Sequence, residues 1–297
     1  MSRTHTTLYV SEAGLFLFAK SCISLKTAAL WGMNSTESQT AVITGASSGI
    51  GAAFARSLAR RGYNLILTAR RENRLKALAD QLQARHGINV EIILADLTNR
   101  EDITQLQNRL RDDASITMLI NNAGFGLGRK FTDTELEHHL DMIDVHITAA
   151  VRLMHTVLPG MIARKRGDII NVASVAGLLP HIMSPLYGST KSFLIAFSES
   201  FQTFLKEYDI HVQALCPGFT VTEFHDGPEF ADFNRASIRK SMWLSADDVV
   251  EQSLAALGRR RSVFVPGWRY RLMVWLLRPR FMSFVGRRMA KSRSIKR

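Results

Sequence analysis

Residues 44–51 read Thr44-Gly45-Ala46-Ser47-Ser48-Gly49-Ile50-Gly51. An apolar run at 41–44 leads into them, and a helical pattern over 52–61 follows at once. Glycine lets the backbone turn sharply and lets another group approach it closely. The helix start then offers unpaired N–H groups and the positive end of a dipole. Such a turn cradles a pyrophosphate, or it is simply a tight strand-to-helix junction. Its spacing is GxxxGxG, not the GxGxxG of the common dinucleotide fingerprint.

Outward from this turn the chain alternates between strand and helix patterns. Apolar runs at 64–68, 90–94, 118–120, 168–172, 211–215 and 262–265 predict buried strands. Helical patterns lie between them, including 71–85. Thr98 with Glu101, and Thr132 with Glu135, have the spacing of a capping box. The second pair precedes a long helix expected to run to about Pro159. Ser245 with Asp248 starts the last helix and Gly258 stops it. Continuous apolar strands alternating with helices imply a parallel sheet covered on both faces, an α/β class.

Three parts follow. Residues 1–38 are an irregular extension, 39–266 a single α/β domain, and 267–297 a basic, aromatic-rich tail. The extension has a short apolar stretch at 14–19, bounded by Lys20, with Lys26 beyond. Residues 1–32 are expected to be dispensable, with Met33 as the functional start.

The 297 residues weigh 33.3 kDa, with 46% apolar and 22% charged side chains. That composition excludes a disordered or collagenous chain. No run reaches the roughly 18 consecutive apolar residues of a membrane span. Cys22 and Cys216 form no disulfide framework and no metal-ligand spacing, which suits a reducing compartment. Lys and Arg number 38 against 26 Asp and Glu. Residues 259–297 hold 13 of those cations and no acid, so 1–258 carry 25 against 26. The basic charge belongs to the tail, not to the domain. No recognised nucleic-acid motif is present, and no nucleic-acid partner is expected.

The second strand pattern ends Leu67-Thr68-Ala69-Arg70-Arg71. An acid there would hold a ribose 2′-hydroxyl; two guanidiniums suit a 2′-phosphate instead. Asp96 follows the third strand, where it can bond an adenine amino group or serve as a helix N-terminal acid. Tyr187 and Lys191 are one helical turn apart. A tyrosine of pKa about 10 is a poor base at neutral pH, and a nearby ammonium would lower it. Ser174 ends the 168–172 strand, where its hydroxyl could hold a substrate oxygen.

TGASSGIG, Asp96, Asn121-Asn122-Ala123-Gly124, Ser174, Tyr187-xxx-Lys191 and Pro217-Gly218 occur in one order, each at a strand end. Together they resemble the short-chain dehydrogenase/reductase superfamily over about residues 39–266. The resemblance implies one Rossmann-like doubly wound sheet, order 3-2-1-4-5-6-7. It implies hydride transfer between a nicotinamide and an alcohol/carbonyl pair. Tyr187 resembles the proton donor and acceptor, Lys191 the residue that holds the nicotinamide ribose and lowers the tyrosine pKa, and Ser174 the holder of the substrate oxygen. Tyr187 and Lys191 thereby also count among the cofactor-binding residues. Gly45, Ser47, Ser48, Gly49, Ile50 and Gly51 match the pyrophosphate turn. Asp96 and Leu97 match the adenine side, and Asn122, Ala123 and Gly124 the turn beside the adenine ribose. Pro217, Gly218 and Thr222 match the nicotinamide end. Arg70 falls where members preferring NADP often carry a base, so NADP(H) is favoured over NAD(H). Many members place an asparagine where this chain has His146. It is read either as a substitute in the proton relay or as a packed helix residue.

The segments 175–186 and 219–243 are the expected substrate lining. They contain Leu178, Leu179, Ile182, Met183, Leu186, Phe219, Phe224, Phe230, Phe233 and Trp243. Their composition favours a lipophilic alcohol or carbonyl, or else serves a mobile lid. In the tail, Trp268, Tyr270, Trp275, Phe281 and Phe284 are interleaved with arginines, a short helix is expected at 271–277, and Pro279 interrupts it. An interfacial helix on an anionic membrane, a helix docked on a partner subunit and a disordered basic tail all remain open. The reading is a cytoplasmic, peripherally membrane-associated NADP(H)-dependent oxidoreductase. Its rival is a non-catalytic nucleotide sensor or membrane scaffold on the same fold. Family analogy implies a homo-oligomer.

Overall fold

Thr40–Thr44 (β1) is buried at every residue, as a strand covered on both faces must be. The computed structural model describes residues 39–277, apart from 129, 180–184, 228–229 and 231–232. In it β1 pairs in parallel with Asn64–Ala69 (β2) on one side and Ile116–Asn121 (β4) on the other. Val42 stands opposite Ile66 and Leu119. Val90–Leu94 (β3), Gly167–Val172 (β5), Ile210–Leu215 (β6) and Val263–Phe264 (β9) complete a seven-stranded sheet of order β3-β2-β1-β4-β5-β6-β9. This is the expected doubly wound order, with β9 as its seventh strand. Thr220–Val221 (β7) and Leu244–Ser245 (β8) form a separate parallel pair outside it.

Winding reverses between β1 and β4, so the loops after these two strands diverge and leave a crevice. The glycine turn sits on one side of it and Asn122–Gly124 on the other. Helices Gly49–Ala59 (α1), Glu72–His86 (α2) and Arg100–Leu110 (α3) follow the first three strands. Val42, Leu106, Leu119, Leu153, Met154 and Ile169 pack in one buried cluster. A polar chain runs through the sheet above them. Asn121 Nδ2 donates to Asn171 Oδ1 (2.8 Å), Asn171 Nδ2 donates to Ser198 Oγ (2.9 Å), and Ser198 donates to Leu194 O (2.7 Å).

Several expected boundaries move. The cap of α3 is Asn99, whose side chain accepts from Glu101 N and Asp102 N, because the Thr98 hydroxyl is taken by Asp96. Thr132 and Glu135 form no capping box; a 3₁₀ turn covers Phe131–Asp133 and the helix opens at Leu136. Ser245 does cap Ala246–Leu257 (α8), accepting from Asp248 N at 3.0 Å. The long helix does not stop at Pro159. It comprises Leu136–Ile143 (α4), a π-helical turn Asp144–Thr148, and Ala149–Arg164 (α5). Proline costs one hydrogen bond and a ring clash, about 3 kcal/mol. Burial of Val157, Leu158 and Met161 around it offsets that, at about 1.5–3 kcal/mol each. This helix is apolar and long enough to cross a membrane by composition, yet it lies against the sheet as a core helix.

Val175–Leu178 (α6) and Pro185–Leu205 (α7) flank the far side of the crevice. The tail helix begins earlier than expected, at Trp268, and runs to Leu277 (α9), with Tyr270 and Val274 buried against the domain. Pro279, Phe281, Phe284, Ile182, Met183, Cys22 and the Met33 start all lie outside the described residues.

Candidate active site

The glycine turn needs its glycines for two reasons. Gly45 and Gly49 hold positive φ (64° and 56°), a region costly for other residues. A Cβ on Gly51 would stand 2.4 Å from Gly45 O and 2.5 Å from Asn122 Nδ2. Ser48 is the extended N-cap of α1 and makes no side-chain cap bond, and the first turn contains no acid. The helix start is therefore suited to an anion. Thr44 and Asn122 set the turn: Thr44 Oγ1 accepts from Asn122 N and Ala123 N (both 2.9 Å), and Asn122 Nδ2 donates to Thr44 O (2.9 Å). The Asn122 side chain thus stitches β1 to β4, leaving the Ala123–Gly124 backbone to line the crevice.

At the end of β2 the two arginines part company. Arg70 turns to Asp96, 3.5 Å away. Burial works against the Asp96 charge, but bonds from Thr98 and the Arg70 charge hold its carboxyl below the usual carboxylate range. Leu97 is buried beside it. Arg71, the second of the two guanidiniums, reaches back over the turn. Its Nε and Nη2 donate to Ser47 Oγ at 3.1 and 3.0 Å, and Nη2 to Ser48 Oγ at 2.6 Å. Its Nη1 meets Glu223, which Arg74 also holds. A planar fork of this kind, set beside two hydroxyls, suits a phosphate.

Ser174, Tyr187 and Lys191 come together at the C-terminal end of β5. Ser174 accepts from Ala176 N (3.1 Å) and so caps α6, while its hydroxyl also bonds the Tyr187 phenol. Lys191 Nζ donates to Val172 O at 3.0 Å and lies 5.7 Å from the Tyr187 ring centre. Gly177 lets α6 lie directly on α7, since a Cβ there would stand 2.6 Å from the Lys191 carbonyl carbon. Contrary to expectation, the protein groups alone do not lower the tyrosine pKa. Burial pushes the phenol up to about 12, against the opposing Ser174 bond. Burial also depresses Lys191 to about 7, so its ammonium is a weak local charge at neutral pH.

This has a consequence for stability. An unfolded lysine titrates near 10.5. Between pH 7 and that value the unfolded chain binds more protons than the folded one, so stability rises with pH. We expect the urea midpoint to rise from pH 7 to 9.5 and the slope to flatten in Lys191→Met. Parallel pH profiles for the two proteins would refute the assignment.

His146 occupies the π-helical turn and is 1% exposed. Phe125 N donates to its Nε2 (3.1 Å), so Nδ1 carries the hydrogen and donates to Thr190 Oγ1 (2.9 Å). Thr190 in turn donates to Tyr187 O. Burial, then the Lys191 charge, holds the imidazole well below its usual pKa. Both ring nitrogens are thus engaged. Gly124 must lack a Cβ, which would stand 2.8 Å from His146 Nε2.

Of the expected lining, Leu178 and Leu179 instead face the core. The second segment converges on the site. Tyr187 meets Phe224 at 5.9 Å, Phe224 meets Phe230 at 5.5 Å, and Phe219 meets Trp243 at 5.4 Å. His225 stacks on Phe233 at 4.5 Å inside this group. Thr222 packs over Gly49, and Pro217 O accepts from Val175 N. Gly218 admits the Tyr270 ring, which a Cβ would meet at 2.0 Å.

The fold and site define a dinucleotide-binding oxidoreductase of Rossmann type. A family model described as short chain dehydrogenase matches residues 39–228, and the chain belongs to that family. It is 32% identical over 230 residues to an uncharacterized oxidoreductase of Staphylococcus saprophyticus, covering 77% of this chain and 95% of that one. A short-chain dehydrogenase from Sphingobium yanoikuyae, solved in complex with NADPH, matches with 35% identity and a TM-score of 0.74, over 86% of this chain and 94% of that one. A bulky-bulky ketone specific alcohol dehydrogenase from Comamonas testosteroni matches with 30% identity and a TM-score of 0.71, over 86% and 93%. A Burkholderia phymatum family member in complex with NAD has 25% identity and a TM-score of 0.70, over 82% and 94%. The protein is an NAD(P)-dependent oxidoreductase of CH–OH groups.

Proposed function

We propose that this oxidoreductase uses NADP(H) to interconvert a lipophilic alcohol and its carbonyl. The observation that carries the cofactor choice is the Arg71 guanidinium lying across the Ser47 and Ser48 hydroxyls, with Arg70 beside it and no acid at the end of β2. The glycine turn and the uncapped start of α1 would hold the pyrophosphate. Ala123, Gly124 and Lys191 would hold the riboses, and Pro217–Thr222 the nicotinamide end. The bound nicotinamide supplies or accepts the hydride.

In reduction, Ser174 orients the carbonyl oxygen and the Tyr187 phenol donates a proton to it. A phenol near 12 is in its donor form at neutral pH. In oxidation the same oxygen must first be ionised, which a cationic neighbour in the crevice favours. His146 is a positioning residue: it joins the loop at Phe125 to α7 through Thr190 and so fixes Tyr187. The aromatic group around Tyr187 supports an apolar substrate, as does the bulky-ketone specificity of the Comamonas relative. The protein works in the cytoplasm, held peripherally on an anionic membrane by its basic tail.

The test is NADPH and NADH consumption against a panel of long aliphatic, aromatic and polycyclic carbonyls and open-chain sugars. We expect the apolar carbonyls to exceed the sugars in kcat/KM by at least about 100-fold, since a missing apolar contact alone is worth 10–200-fold. Preference for sugars, or equal use of NADH, would overturn the respective half of the proposal.

A further inference from the structure

Helix α9 has two opposed faces. Tyr270 and Val274, one turn apart, are buried against the domain. Trp268, Leu272, Trp275 and Leu276 are 59, 47, 59 and 41% exposed. At 3.6 residues per turn those four share an arc of about 100° on the other side. Arg269 and Arg271 border that arc, and the Arg269 guanidinium lies 4.7 Å over the Trp268 ring. Residues 278–297, next in the sequence, hold eight Lys and Arg and no acid. Aromatic and aliphatic side chains flanked by cations, on a helix already anchored on its other side, suit the headgroup boundary of an anionic bilayer.

The buried face leads to the active site. The Tyr270 hydroxyl accepts from Phe219 N (2.8 Å) and donates to Met242 O (2.7 Å). These residues are the two ends of the segment that carries Phe224, Phe230 and Phe233 over Tyr187. The β7–β8 pair closes the same ends, and Leu244 N donates to Phe219 O (2.9 Å). One phenol therefore ties both ends of the aromatic lid to the helix whose other face is apolar.

We propose that α9 docks on an anionic lipid surface through Trp268, Leu272, Trp275 and Leu276, and that Tyr270 transmits docking to the lid, loosening it for a substrate arriving from the bilayer. Docking through this face deepens the proposed peripheral membrane association, and the substrate clause rests on the proposed lipophilic specificity.

Two measurements on the full chain test this without turnover. In the first, sedimentation is compared with vesicles of phosphatidylcholine alone and of phosphatidylcholine with 30 mol% phosphatidylglycerol, a fraction of order typical for anionic membranes. The parent should partition at least about tenfold more strongly to the anionic vesicles, and Trp268→Glu/Trp275→Glu should lose at least about tenfold. No binding, equal binding to both compositions, or unchanged binding of the double variant would overturn docking by this face. In the second, tryptic cleavage after Arg239 and Lys240, both exposed in the lid, is timed. Anionic vesicles should speed it by at least about threefold in the parent, where mere shielding would slow it. Tyr270→Phe keeps the ring and loses both hydrogen bonds; it should bind vesicles like the parent yet show no acceleration. Slower or unchanged cleavage in the parent, or a normal response in Tyr270→Phe, would overturn transmission. If lipophilic carbonyls prove not to be substrates, both results stand and only the substrate clause falls.

Discussion

Tyr187→Phe should lower kcat by about 10³-fold or more while leaving the NADPH dissociation constant within about threefold. General acid catalysis contributes about 10²–10⁴-fold, and this position has no substitute donor. The Ser174 hydroxyl is a far weaker acid than a phenol, Lys191 Nζ is directed to Val172 O, and both nitrogens of His146 are engaged. Loss of the hydroxyl leaves the ring packed against Phe224 and His146, so the fold and the glycine turn are undisturbed. Steady-state turnover with the best panel carbonyl, paired with fluorescence titration of NADPH, checks both halves. A variant retaining a tenth of parental kcat would remove Tyr187 as the proton donor. A large loss of NADPH affinity would make it chiefly a cofactor-binding group.

Arg71→Ala should weaken NADPH by about 10–100-fold and change NADH by less than about threefold. A hydrogen bond to a charged group is worth about 1.5–3 kcal/mol, and the guanidinium can offer a phosphate a bidentate fork. NADH carries no 2′-phosphate and loses nothing there. The ion pair of Arg71 with Glu223 is exposed, and Arg74 still holds that carboxylate, so its loss costs little stability. Arg70→Ala should have the smaller effect, because Arg70 is directed to Asp96 and is more exposed than Arg71. Isothermal titration with both dinucleotides separates these outcomes. A uniform loss for NADPH and NADH would mean that Arg71 props the turn and does not read the phosphate.

Strand existence and order were legible because a sheet buried on both faces demands continuous apolar runs, and the chain spaces them regularly. The glycine turn was legible for a similar reason: two positive φ values and one close approach to Gly45 O leave few alternatives to glycine. Helix ends were less legible. Thr98 lost its cap to Asn99 through a side-chain bond to Asp96, and Pro159 was carried through by packing on both sides of it. These outcomes depend on neighbours in space. The sequence offered both Arg70 and Arg71 to a 2′-phosphate; which of them faces the turn depends on the directions in which adjacent side chains leave the backbone, which a residue count does not reveal. Tyr270 and Thr190 carry no local signal; each matters through a partner far along the chain, Phe219 and His146 respectively.

The sequence by itself determined the class of fold and the family, and it nominated Ser174, Tyr187 and Lys191 for the chemistry proposed. Periodicity and backbone freedom are local properties, and the motifs are short. Only the tertiary structure decided what those groups experience. Burial sets the Tyr187 phenol near 12 and the Lys191 amine near 7, where the sequence alone led us to expect a lowered tyrosine. It engages both nitrogens of His146 and attaches the tail helix to both ends of the lid. Desolvation and hydrogen bonding depend on every atom within a few ångströms, and most of those atoms come from distant parts of the chain.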